Sequence, residues 1–109
     1  AGKFDVVFCD APCTGSGTWR RAPDAKWRLT PADLAAVMQS QDEVLAASAP
    51  LVAEAGLLVY ATCSILADEN SRRVKNFCDT YPEWHIMDAH QDLPDANADG
   101  FYTCTLRRD

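Results

Sequence analysis

Short apolar runs alternate with helix-like stripes along this chain of 109 residues. The run Asp5 to Cys9 (D-V-V-F-C) is β-branched or aromatic at three of five positions and loses polar alternation after Asp5. That is the pattern of a strand covered on both faces. The stretch Ala11 to Trp27 has no helical period and is broken by Pro12, Gly15, Gly17 and Pro23. It reads as a long loop, which in a compact domain is usually functional. Thr30-Pro31-Ala32-Asp33 starts a helix: Thr caps, Pro suits the first helical position, and an acid lies three residues after the cap. Leu34, Val37, Met38, Val44 and Leu45 then form an apolar stripe. Pro50 is expected to break that helix and Gly56 to close its last turn.

Leu57 to Ala61 is a second buried strand. Ser64 or Asp68 is expected to cap the next helix, whose inner face carries Val74, Phe77, Cys78 and Tyr81. Trp84 to Met87 reads as a short strand, and Asp99-Gly100 as a turn into a last strand, Phe101 to Leu106. The order is β-loop-α-β-α-β-β. It implies an α/β fold with a mostly parallel sheet, right-handed crossovers and a last strand that pairs antiparallel. Residues 1–109 are one domain or part of one.

Two strand-to-loop junctions carry cysteines. Cys13 follows the first strand in D-A-P-C-T-G-S-G, and Cys63 follows the second in Y-A-T-C-S. If the strands are parallel neighbours, both thiols lie at one carboxyl edge of the sheet, where open α/β sheets bind ligands. Cys63 is expected to precede a helix directly, and a helix N-terminus lowers a thiol's pKa. The alternative is a buried small hydrophobe, the commonest fate of a free cysteine. Cys13 is either a turn residue of no consequence or a group held by Pro12 beside Gly15 and Gly17, which permit close ligand approach. Cys9, Cys78 and Cys104 fall within apolar faces and read as core.

Composition narrows the classes. The apolar fraction of 48% is ordinary, and no run reaches the roughly 18 apolar residues of a membrane span. Five cysteines without a C-x-x-C pair argue against a disulfide framework or zinc ribbon, and for a reducing cytoplasm. A net charge of −6 argues against a general nucleic-acid coat. Local charge differs: Arg20, Arg21, Lys26 and Arg28 surround a single acid, Asp24, and are interleaved with Trp19 and Trp27. Such a loop suits phosphate contact and base stacking, or is simply a solvated surface. The G-S-G piece is not a dinucleotide fingerprint, because Arg20 stands where a third glycine would fall. His85 and His90 lack an orienting motif for thiol-protease chemistry. Asp92, Asp95 and Asp99 lack the glycine and terminal Glu of a calcium loop, so no metal is expected. The start Ala1-Gly2-Lys3, without an initiator Met or signal peptide, looks like that of a piece of a longer protein.

The segments Asp10 to Gly17 and Tyr60 to Ser64 together resemble the two-cysteine signature of Sun-type RNA cytosine-C5 methyltransferases. Arg20-Arg21, Pro23-Asp24, Lys26-Trp27 and Asp99-Gly100-Phe101-Tyr102 extend the likeness over nearly the whole chain. The resemblance implies the carboxyl-terminal half of a class I, Rossmann-like methyltransferase domain that uses S-adenosylmethionine on RNA, ribosomal RNA in particular, in the cytoplasm. It makes Cys63 the nucleophile at C6 of cytosine and Cys13 the group that helps resolve the adduct. Asp10 would lie beside the methionine moiety and the target base, the Pro12 carbonyl would accept from the exocyclic amine, and Arg20, Arg21 and Lys26 would contact RNA. The family's Gly-rich cofactor loop, its acid after the second strand and an upstream catalytic Lys have no counterpart here. The 109 residues alone are therefore expected to bind the methyl donor very weakly and to be inactive. An exposed first strand is expected to invite self-association. The rivals are a non-catalytic RNA-binding or ribosome-assembly module of the same fold, and a DNA cytosine-C5 methyltransferase, in which the Pro-Cys loop would hold the nucleophile.

Overall fold

A computed structural model describes residues 2–13, 30–64, 66–93 and 100–108. Strand β1 (Phe4–Asp10) is followed by helix α1 (Pro31–Ser48) and a single 3-10 turn (Ala49–Leu51). Strand β2 (Val52–Thr62), a second 3-10 turn (Ala67–Glu69), helix α2 (Ser71–Thr80), β3 (Trp84–Asp92) and β4 (Phe101–Arg108) complete the described chain. The order of elements is the one expected. β1 pairs parallel with β2, and β4 pairs antiparallel with both β2 and β3. The sheet order is β1-β2-β4-β3, so β1, β2 and β3 share one direction while the last strand inserts between its two predecessors.

The start of α1 follows from local chemistry. The Asp33 backbone N–H donates to Thr30 Oγ1 at 3.1 Å, and the Thr30 N–H donates to Asp33 Oδ2 at 3.1 Å. This reciprocal box satisfies two helix-end donors and is worth about 1 kcal/mol. The helix stops at Ser48, and Pro50 lies in the 3-10 turn that follows, as a residue without an N–H requires.

Gly56 does not close that helix. It lies inside β2, where an added Cβ would stand 2.8 Å from the Asp5 carbonyl oxygen and 2.9 Å from that of Ala53. Here β2 is bulged: Phe4 pairs with Val52 but Val6 pairs with Leu57, and Ala55 sits at φ 64°, in the left-handed region. The extra residues extend the strand well ahead of Leu57, and glycine lets β1 approach.

Neither Ser64 nor Asp68 caps α2. Its N-cap is Asn70, which makes no side-chain cap bond. Asp68 pairs instead with Arg72, and its carbonyl accepts from Arg73 Nε at 2.8 Å.

Both helices pack on one face of the sheet. Leu58 and Tyr60 from β2, Tyr102, Cys104 and Leu106 from β4, and Trp84 from β3 meet Leu45 of α1 and Val74 and Phe77 of α2 in a buried cluster. Arg73 of α2 pairs with Asp42 of α1 at 2.8 Å and ties the helices together. The other face is not covered among the described residues. Phe4, Val6 and Phe8 are 57%, 57% and 61% exposed, so β1 is covered on one face only and not on both as its composition suggested.

Candidate active site

The parallel pairing of β1 and β2 brings the two cysteine loops to the same edge. Asp10 stands in register with Ala61, and the ladder continues one step further through the Ala11 N–H, which donates to the Ala61 carbonyl at 2.9 Å. Pro12 and Cys13 leave from the end of β1, and Cys63 follows β2 directly. The expectation that both thiols share one carboxyl edge is met. Cys13 is half-buried, whereas Cys63 and the Asp10 carboxyl are exposed.

The backbone on both sides of Cys63 is pinned by buried side chains. Thr62 Oγ1 donates to Asn70 Oδ1 at 2.6 Å and accepts from the Ser64 N–H at 3.1 Å. The Ser64 carbonyl accepts from Asn70 Nδ2 at 2.8 Å and from Gln91 Nε2 at 3.2 Å. Ser64 Oγ accepts from the Leu66 N–H at 3.0 Å and donates to Glu69 Oε2 in a short bond. Glu69 is held in turn by Tyr60, whose hydroxyl donates to the Glu69 carbonyl at 2.6 Å. Burial and these partners fix the turn, while Cys63 itself is exposed.

One expectation about Cys63 fails. The residue after it does not open a helix: α2 begins only at Ser71, beyond the 3-10 turn. The helix dipole acts within the first turn and cannot reach so far back along the chain. The cause is the Ser64–Glu69 and Thr62–Asn70 bonding, which uses the local polar groups to build a turn before the helix.

Burial sorts the other three thiols. Desolvation pushes the Cys104 thiol up to about 11, and it also raises those of Cys9 and Cys78. Cys9 and Cys104 are buried and Cys78 is half-buried, in line with the core reading. His90 is exposed and lies 2.7 Å from Asp92, two residues along β3. Among the described residues no cluster of three His, Cys, Asp or Glu is arranged to hold a metal ion, and no helix is long and apolar enough to cross a membrane. Arg20, Arg21, Lys26, Trp19 and Trp27, with Asp95 and Asp99, lie outside the described residues.

Sequence reasoning missed the polar residues behind the cysteines: Gln41, Glu69, Asn70 and Gln91. One signal was present. Gln41 stands between Val37 and Leu45 at four-residue spacing, a polar side chain on the face that packs inward.

The fold is that of the methyltransferase class. Over 95% of this chain, a solved structure titled "Crystal Structure of PH0851" matches with a TM-score of 0.89 at 32% identity, the match covering 26% of that chain. A methyltransferase homolog protein from Pyrococcus horikoshii matches over 99% of this chain and 40% of its own, with a TM-score of 0.82 at 24% identity. Within that class, residues 1–107 match the family model described as 16S rRNA methyltransferase RsmB/F, and the chain belongs to that family. Among curated relatives, "Ribosomal RNA small subunit methyltransferase B" of Proteus mirabilis is 39% identical over 107 residues, 97% of this chain and 25% of that protein. The chain spans about a quarter of the length of the curated relatives it matches.

Proposed function

We propose that these residues form the carboxyl-terminal catalytic part of a cytoplasmic enzyme that methylates C5 of a cytosine in RNA, the ribosomal RNA of the small subunit being the substrate suggested by the relatives' names. The observation that carries this reading is that an exposed Cys63 on a braced turn and the Cys13 loop leave the same edge of two paired parallel strands.

C5 of cytosine is a weak nucleophile, so a nucleophile must first add at C6. The Cys63 thiolate forms the S–C6 bond, and the displaced π pair makes C5 electron-rich. S-adenosylmethionine, when bound, supplies an electrophilic methyl group. Asp10, exposed at the end of β1, fits the ammonium end of such a donor. Once C5 carries the methyl group, the Cys13 thiolate removes the C5 proton. The C–H pair then reforms the C5–C6 double bond and expels Cys63 as thiolate. The Pro12 carbonyl already accepts from Gln41 Nε2 at 2.7 Å, and its second lone pair suits the exocyclic amine of the base. The base must leave its stack to reach these groups. Arg20, Arg21 and Lys26 supply phosphate contacts that steady the displaced strand.

The test uses a full-length protein carrying this segment, incubated with small-subunit ribosomal RNA and the methyl donor. Cys63→Ala should abolish the covalent protein–RNA complex and lower turnover on the order of 10³-fold or more. Cys13→Ala should accumulate the complex. If Cys13→Ala alone prevents it, the two roles are reversed. Tight RNA binding with no covalent complex and no methylation would favour a non-catalytic module.

A further inference from the structure

Between the two cysteine loops lies a buried polar bridge that the covalent chemistry does not use. Gln41, from the middle of α1, and Glu69, from the 3-10 turn before α2, are each 0% exposed. Gln41 Nε2 donates to the Pro12 carbonyl at 2.7 Å, next to Cys13. The same nitrogen lies 3.5 Å from Glu69 Oε1, a long contact. The other carboxyl oxygen, Oε2, accepts from the hydroxyl of Ser64, next to Cys63. A chain of contacts therefore runs Pro12–Gln41–Glu69–Ser64. The amide orientation is set by its neighbours: flipping it would turn Gln41 Oε1 toward two acceptors.

Fully buried polar groups are costly unless satisfied, and Gln41 is kept although its Oε1 is buried without a hydrogen-bond partner among the described residues, so its Nε2 contacts are what the position retains. Gln41 and Leu45 are the buried residues of α1, one turn apart on the same face, and the apolar packing of that face does not by itself call for an amide. We propose that Gln41 and Glu69 are positioning residues that hold the Cys13 loop and the Cys63 turn in a fixed relation, so that the thiol that attacks and the thiol that releases address the same base. The proposal rests on the roles assigned to those cysteines above. It assigns the two ends of the bridge different kinetic jobs. The Ser64–Glu69 end aims Cys63 and governs formation of the covalent complex. The Gln41–Pro12 end aims Cys13 and governs its breakdown.

The experiment measures single-turnover formation and decay of the covalent complex in the full-length protein with small-subunit ribosomal RNA and the methyl donor. Thermal melting is followed in parallel. Gln41→Leu should slow decay about five- to tenfold, the size of one lost buried hydrogen bond, and slow formation clearly less. Ser64→Ala should do the opposite, slowing formation by a similar factor while decay is kept. Glu69→Ala should slow both. If that variant does not fold, the contrast between the first two still decides. Equal slowing of both steps in Gln41→Leu and Ser64→Ala, or no change in either, would reduce the bridge to a packing feature and overturn the proposal. Persistence of the complex in Cys63→Ala would instead overturn the role assignment beneath it.

Discussion

At the scale of single residues, what distinguishes five chemically identical thiols is how much water each keeps. Cys104 is fully buried, and removing it from water raises its pKa from 9.0 to about 11. The folded chain therefore holds this proton more tightly than the unfolded chain does. Above about pH 9, the unfolded thiol ionises while the folded one stays neutral. The unfolded state then binds fewer protons, so stability falls as pH rises toward 11, by a total of about 2–3 kcal/mol. Burial of Cys9, Tyr60 and Tyr102 acts in the same direction. Urea unfolding between pH 8 and 11 should show this decline. Cys104→Ala should be about 1 kcal/mol less stable at pH 7 because of the lost packing, yet have a shallower slope above pH 9. An unchanged slope would remove Cys104 from the account.

At the scale of elements, the bulge in β2 sets how closely β1 approaches and hence where Asp10 and Pro12 end. Gly56→Ala would bring a Cβ against two backbone oxygens, groups that cannot rotate away. A loss of about 1–3 kcal/mol is expected, read as a lower urea midpoint with unchanged slope. A neutral substitution would mean the bulge relaxes freely. The misreading of this glycine is instructive. Proline at 50 and glycine at 56 are ordinary helix-ending signals, but the bulge depends on pairing with Phe4 and Val6, which lie some fifty residues away in sequence. The Thr30–Asp33 cap was legible because all its partners lie within four residues. The strand junctions of Cys13 and Cys63 were legible for the same reason, since each ends an apolar run. The bridge between them was not. Gln41 meets Pro12 and Glu69 only after α1 has packed over the sheet, and the single trace it leaves in the sequence is one polar position in an apolar stripe. The local use of Ser64 likewise concealed that the helix after Cys63 starts late.

At the scale of the whole molecule, the sheet is clothed on one side and, among the described residues, open at both edges. β1 is one of the two outer strands in the order β1-β2-β4-β3, so one of its rims has no strand partner among the described residues. Phe4, Val6 and Phe8 project from the same strand at two-residue spacing and are all more than half exposed. An unpaired rim beside an apolar row is a template for pairing with a second chain. In a longer protein of this family, further chain is available to cover it, since this segment spans about a quarter of the curated relatives. The 109 residues on their own are therefore expected to self-associate. Sedimentation velocity should show a weight-average mass that rises with concentration over the micromolar range. Phe8→Lys should shift the population toward monomer, because a charge placed in the row opposes edge pairing, as natural edge strands do. The substitution touches none of the groups that brace Cys63 or Cys13, so the melting temperature should change little. A clean monomer for the parent chain at high concentration would show that the open rim is protected by residues of the chain itself.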